Sequence, residues 1–274
     1  MALPGRDGEA SWAQGPKGRV HLEGLGLKGK RMHLSVIITV FNEAGNIGAV
    51  IRQVRSVIGP QNELIVVDDG STDDTVKELD PDVCTILRHE FNRGKGEAIR
   101  TGVLAAQGDV IAFMDGDGQD DPGEIWNVVD GIKNGADFAI GSRFVVEPGS
   151  NGDHRNPALR YSSAAVGSFN EFGNKGLSGL LNLLFGTKIT DTQASLKCFR
   201  ADKLRAMKLE SSRYEIETEM IIRAARAGLK IVEVPVHRYP RGQGKSKLYE
   251  IPLGRVRFAV QSLLTATKGY LFWR

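Results

Sequence analysis

Asp109-Val-Ile-Ala-Phe-Met-Asp115-Gly-Asp117-Gly-Gln119 is the stretch that decides the fold. Val110 to Met114 is an unbroken apolar run between polar residues, the composition of a strand covered on both faces. It ends in two carboxylates with one residue between them, and on a period-two pleat Asp115 and Asp117 leave on the same side. Carboxylates so close repel each other, and a site that keeps both ionised needs a cation. Mg2+ and Mn2+ take a few carboxylates and draw their other ligands from substrate phosphates and water, and Gln119 adds a neutral oxygen. A solvated acidic turn uses the same letters, because Asp and Gly are common turn residues.

Outward from this stretch, Leu34–Val40, Glu63–Val67, Val83–Leu87 and Phe138–Gly141 are further strand-like runs. Helical patterns separate them: one from about Asn46 with Ile47, Val50, Ile51 and Val54 at helical spacing, then Lys95–Ala106 and Pro122–Asn134. Ser71 or Thr72 is suited to cap a short helix running to Leu79. Strands alternating with helices predict βαβ units and a mainly parallel sheet flanked by helices, an α/β fold. Ligands of such sheets bind at the carboxyl ends of strands, where Asp68, Asp69, Asp115 and Asp117 all fall. That common placement lifts a metal and nucleotide site above an acidic turn. Past residue 141 the pattern is less regular. It holds a Gly/Pro/Asn-rich loop at 145–160, an apolar stretch at Leu177–Phe185, a helix at Glu215–Ala227 and a strand at Ile231–Val236. A basic loop, Arg238–Tyr249, precedes a final helix at Ile251–Leu271, with Val256, Val260, Leu263, Leu264, Thr267 and Leu271 on one face.

The 274 residues carry 36 Lys and Arg against 33 Asp and Glu, a mild excess without the clustering of a nucleic-acid binder. Cys84 and Cys198 sit in apolar contexts without metal-ligand spacing and read as buried thiols of a reducing compartment. Met1-Ala-Leu-Pro lacks the basic start and apolar core of a signal peptide, and Arg255, Arg257 and Lys268 interrupt the best membrane-span candidate, Ile251–Trp273. The expectation is a cytoplasmic protein, soluble or peripheral on the cytoplasmic face of a membrane. Residues 1–31, rich in Gly and charge, read as a disordered leader; 32–250 form one domain, and 251–274 a C-terminal amphipathic helix. That helix, ending in Tyr270-Leu-Phe-Trp273, suits either a membrane interface or packing on its own domain or a second copy in a homo-oligomer.

Four segments in order, Val36-Ile-Ile-Thr-Val-Phe-Asn42-Glu43, Val66-Val-Asp68-Asp69-Gly70-Ser71-Thr-Asp73, Asn92-Arg-Gly94-Lys95-Gly96 and Asp115-Gly-Asp117, resemble the inverting glycosyltransferases of the family-2 type. Members of that family adopt the nucleotide-diphospho-sugar fold called GT-A. Gly141-Ser-Arg143, Asp191-Thr-Gln193-Ala-Ser-Leu-Lys197 and Arg241-Gly-Gln-Gly-Lys-Ser246-Lys247 are most similar to the polyprenyl-phosphate group, dolichol-phosphate mannose synthases among them. The likeness spans about residues 33 to 250. Val40 departs from it, standing where the family usually has Pro. Many relatives also carry C-terminal transmembrane helices that find no counterpart here.

The resemblance implies a GT-A-like α/β domain that moves a sugar from a nucleotide diphosphate donor, GDP-mannose or a UDP-hexose, with Mg2+ or Mn2+. It implies donor contacts at Val40, Asn42, Glu43, Asp68, Asp69, Gly70, Lys95, Asp115 and Gly116, and metal ligands at Asp115, Asp117 and Gln119. On the residues alone, Asn42 suits a helix cap as well, and Asp68 or Asp69 an Asx turn. Gly94 and Gly96 allow a ligand close to the backbone, with Lys95 supplying charge. The acceptor side divides the readings. A hydroxyl acceptor needs a general base, for which Asp191 and Glu217 are available. A polyprenyl monophosphate is already an anion and needs cations, which Arg143, Arg160, Arg241 and Lys247 supply with hydroxyls from Ser163 and Ser246. Asp117, Arg143 and Asp191 are the expected catalytic residues. Transfer to polyprenyl phosphate is the leading reading. Transfer to a hydroxyl of a glycan or small molecule is the second, and a silent nucleotide-sugar-binding subunit the third.

Overall fold

The computed structural model describes residues 32–145, 168–241 and 254–273. The expected leader and the predicted acceptor residues Arg160, Ser163, Ser246 and Lys247 lie outside the described residues. Seven strands form one sheet: β1 (Leu34–Val40), β2 (Glu63–Asp68), β3 (Thr85–Arg88), β4 (Val110–Asp115), β5 (Phe138–Ser142), β6 (Lys197–Arg200) and β7 (Ile231–Pro235). Their order is β3-β2-β1-β4-β6-β5-β7, with β6 antiparallel to β4 and β5 and the other pairings parallel. The parallel part sorts its side chains between two cores. Val36, Ile38 and Val40 of β1 and Ala112 and Met114 of β4 meet α1 (Ile47–Ile58) and α3 (Ile125–Lys133) on one face. Ile37, Ile111 and Phe113 face the other core, with α2 (Lys95–Ala105) and α6 (Ile216–Arg226). Burial on both faces is what an unbroken apolar strand requires.

The chain leaves β1 through α1 on one face and reaches β4 through α2 on the other. This makes the β1/β4 boundary the point where the strand order reverses, the place for a ligand crevice. Registers Val40↔Asp68 and Thr39↔Asp115 bring the carboxyl ends of β2, β1 and β4 level there.

Three expectations are corrected. The short helix is a 3-10 turn, Asp74–Glu78, capped by Asp73, whose side chain accepts from the Thr75 N–H; Ser71 and Thr72 are instead engaged by Asn42. The irregular second half contains α4 (Ser168–Phe185), β6 and α5 (Ala201–Ala206). The last helix, α7 (Gly254–Phe272), packs through its small residues. Ser262, Thr265, Ala266 and Gly269 are buried along with Trp273 just beyond the helix, while Val256, Val260, Leu263, Leu264 and Leu271 are exposed. A Cβ on Gly269 would lie 2.6 Å from Ile222 Cγ2 of α6, so the helices meet at backbone distance. Among the described residues no helix is long and apolar enough to cross a membrane.

Candidate active site

At the end of β1 the chain turns through Asn42, whose φ of 53° is a left-handed value that Asn tolerates better than most residues. Its backbone N–H donates to Ser71 Oγ and its side-chain oxygen accepts from the Thr72 N–H at 2.8 Å, tying the β1 and β2 exits together. The Val40 carbonyl accepts from the Asp69 N–H at 2.9 Å. The adjacent aspartates divide their work. Asp69 accepts from the Arg93 and Gly94 N–H groups and pairs with His89 at 2.7 Å, which places it as a staple for the loop after β3. Asp68 is fully buried. Its Oδ1 accepts from the Ser71 N–H three residues on, and its Oδ2 lies 3.0 Å from Arg88 Nε.

Two glycine expectations change. Gly96 and Gly94 admit the protein's own backbone: an added Cβ would fall 2.0 Å from the Ser211 carbonyl oxygen and 2.3 Å from that of Ser212. The Ser212 carbonyl accepts from the N–H groups of Gly96 and Glu97 and so caps the start of α2. Gly70, with φ of 76°, sits against the Phe91 backbone, and Gly116 lies under Val40 and Ile47, so neither position has room for a side chain.

The β4 end gathers charge. Lys95 Nζ lies 2.7 Å from Asp115 and 2.6 Å from Glu217, and Glu217 also holds the fully buried Lys197. Asp117 Oδ2 lies 2.8 Å from Arg241 Nη2 and 3.5 Å from Arg238 Nη2. The other nitrogen of the Arg241 fork donates to both oxygens of Glu43, at 2.6 and 2.7 Å. Arg238 is held in addition by Asp120, Ser195 Oγ and Gln119 Oε1, the last at 3.0 Å. Burial works against charge on Lys95, yet Asp115 and Glu217 overcome it and hold the ammonium well above its ordinary range. Asp115 shows the converse balance: burial would raise its pKa, but Lys95 and Arg238 pull it below the usual value. Asp117 is pushed up to about 6, by burial first and then by Asp115 and Asp120 against the opposing pull of Arg238.

A buried carboxylate that two arginines leave short of positive charge fits a hard divalent ion. The donor set that fits is Asp115 and Asp117. Gln119 is turned elsewhere, with its Oε1 on Arg238 and its Nε2 donating to the Tyr239 carbonyl. Among the described residues no cluster of three or more His, Cys, Asp or Glu side chains is arranged to hold a metal by itself.

Arg143 and Asp191 form one bidentate pair, Nε to Oδ2 at 2.6 Å and Nη2 to Oδ1 at 2.7 Å, with the Arg143 N–H adding a third contact. Asn174 and the Gln193 N–H also donate to Asp191, which is fully buried. Burial would raise its pKa, but Arg143 reverses the effect and holds it below the ordinary carboxylate range. A carboxylate so fully hydrogen-bonded orients Arg143 better than it serves as a proton acceptor. Glu217, between two lysines, is equally engaged. The segment that carries Asp191 reaches the acidic group through Ser195, which donates to Asp120 and accepts from Arg238. Sequence reasoning passed over Arg238, Asp120, Ser195 and Tyr214, whose ionisation burial raises beside Lys95 and Asp115. Arg238 was readable only as one member of a basic loop.

A mixed sheet of this order with helices on both faces and an acidic pair at the β4 exit is the GT-A architecture. A sequence profile described as "Glycosyl transferase family 2" matches residues 35–208, and the chain belongs to that family as a glycosyltransferase. It is 32% identical over 230 residues to the undecaprenyl-phosphate mannosyltransferase of Micrococcus luteus, covering 79% of this chain and 88% of that protein. It is also 32% identical over 227 residues to the polyprenol monophosphomannose synthase of Mycolicibacterium smegmatis, covering 78% and 80%. Among solved structures, glucosyl-3-phosphoglycerate synthase from Mycobacterium tuberculosis with Mn2+, UDP-glucose and glycerol 3-phosphate shares the fold. Its TM-score is 0.67 at 20% identity, covering 94% of this chain and 86% of that one.

Proposed function

We propose that this glycosyltransferase moves a hexose, with inversion, from a nucleoside diphosphate donor to a polyprenyl monophosphate, using Mg2+ or Mn2+. The observation that carries this reading is the division of charge. The carboxylates available as a general base, Asp191 and Glu217, are held in ion pairs with Arg143 and with Lys95 and Lys197, and Arg238 and Arg241 add further positive charge at Asp117. A hydroxyl nucleophile needs a base to take its proton; a phosphate anion needs cations that hold and orient it. The names of the two relatives at 32% identity support the same acceptor class.

In this reading, Asn42, Glu43 and Asp68 line the donor nucleoside, and Lys95 holds Asp115 in place beside it. Asp115 and Asp117 hold the divalent ion, which when bound neutralises charge on the leaving diphosphate. Asp191 fixes the planar fork of Arg143 toward the acceptor phosphate, and buried Arg238 keeps the acidic side of the crevice from repelling that anion. The exposed apolar side of α7 rests on a membrane surface, where such an acceptor resides. The described part of this helix carries no acidic residue, and Arg257 and Lys268 are exposed on it.

The test is incubation with several nucleotide sugars, Mg2+ or Mn2+ and a short polyprenyl phosphate, with products identified by mass. A lipid-phosphate sugar whose formation is lost on chelation and in Asp117→Ala supports the reading. Transfer only to soluble alcohols overturns the acceptor, and binding without turnover overturns catalysis.

A further inference from the structure

Two arginines from the segment after β7 reach Asp117, and they are anchored differently. Arg238 makes hydrogen bonds to Asp120, Ser195 and Gln119, none of them in the Asp115/Asp117 pair, and is only 3.5 Å from Asp117 at its nearest. It keeps these partners whatever Asp117 binds. Among the described residues Arg241 has no such anchor: its hydrogen bonds go to Glu43 and Asp117. Asp117 Oδ1 is meanwhile engaged by the Gln119 N–H at 3.1 Å. The Oδ2 that Arg241 covers is the oxygen on which an entering cation would meet that guanidinium.

We infer that Arg241 is an exchangeable counterion. It occupies the metal-facing oxygen of Asp117 and the carboxylate of Glu43 until a divalent ion binds, and the displaced guanidinium is then free for the acceptor phosphate. This inference rests on the proposed metal and acceptor sites and adds a coupling between them. The exchange has an electrostatic logic. A divalent ion entering as a guanidinium leaves changes the charge of the buried site by one unit, where simple addition would change it by two, and desolvated charge is costly. While it bridges Glu43 and Asp117, its charge is offset by two carboxylates and attracts a phosphate weakly. Metal and phosphate therefore favour each other's binding, and by linkage the effect is reciprocal. Until the ion is seated, the arginine the acceptor needs is withheld.

Mn2+ binding to the whole chain, followed by the electron paramagnetic resonance of the free ion, tests this without turnover. Asp117→Asn removes binding if Asp117 is a ligand. Arg241→Gln, which frees both carboxylates, tightens Mn2+ binding about tenfold, the scale of one close charge pair. Arg241→Lys keeps the charge and stays near the wild type, which separates charge from a folding defect. Methyl phosphate raises the Mn2+ affinity of the wild type more than that of Arg241→Gln; direct association of phosphate with the metal persists in both and cancels. Mn2+ that binds through Asp117 but no more tightly in Arg241→Gln overturns the counterion role and leaves the metal site standing. Mn2+ binding indifferent to Asp117→Asn, or absent from every variant, overturns the metal site and the inference with it.

Discussion

Asp191 shows how far one residue's role depends on its partners. In isolation it is a carboxylate free to take a proton; in the fold it is buried and donated to by Arg143, Asn174 and the Gln193 N–H. The sign of its pH effect follows. Its folded pKa lies below the unfolded value near 3.9, so its contribution to stability is present above that value and is lost as pH falls through the folded pKa. Asp191→Asn leaves the buried Arg143 without its counter-charge, at a cost of roughly 3 kcal/mol at pH 7. Urea unfolding at pH 7 and below pH 4 checks it: the gap between wild type and variant narrows in acid, where the wild-type carboxyl also takes a proton. Asp68 and Asp69 show the same dependence in miniature. Adjacent in sequence and identical in type, one is spent on the loop after β3 and the other ends β2 buried at the crevice.

At the scale of elements, the junction of α2 with the segment before α6 holds the lysine that pairs Asp115. The Ser212 carbonyl caps α2 at the N–H groups of Gly96 and Glu97, and Lys95 spans from this point to both Asp115 and Glu217. Gly96→Ala drives a methyl group to 2.0 Å from a carbonyl oxygen that belongs to backbone and cannot rotate aside. Overpacking of this kind costs about 1–3 kcal/mol. Calorimetry should show a melting temperature lower by roughly 2–6 °C for a chain of this size. An alanine at Gly176, where nothing lies within 4 Å, leaves it unchanged or slightly raised.

Across the whole molecule, α7 packs over α6 and α4 and leaves an apolar surface outward. Its small residues lie against α6, Arg223 stacks on Trp273 at 4.0 Å, and Phe185 of α4 meets Tyr270 edge-on. A double variant Leu263→Glu and Leu264→Glu therefore changes stability by no more than about 0.5 kcal/mol per site but releases the chain from anionic vesicles in a sedimentation assay. Ala266→Leu, on the packed side, destabilises the fold instead. Retained vesicle binding in the double variant argues against the membrane surface and turns attention to a second copy. Much of the architecture is legible in the residues themselves. The β1, β2 and β4 runs are unbroken and apolar because the sheet is covered on both faces, and their carboxylates follow directly in sequence. β6 is hard to read because it is short and begins with Lys197, a buried charge that Glu217, 20 residues on, and the Ala194 carbonyl make tolerable. Local periodicity and short spacings suffice for the α/β class, the family and the acidic group at the strand ends. Tertiary structure alone decided what those carboxylates hold and which side of α7 is covered. Glu43 and Arg241 lie 198 residues apart, and helices that meet at backbone distance select small side chains over the most apolar face.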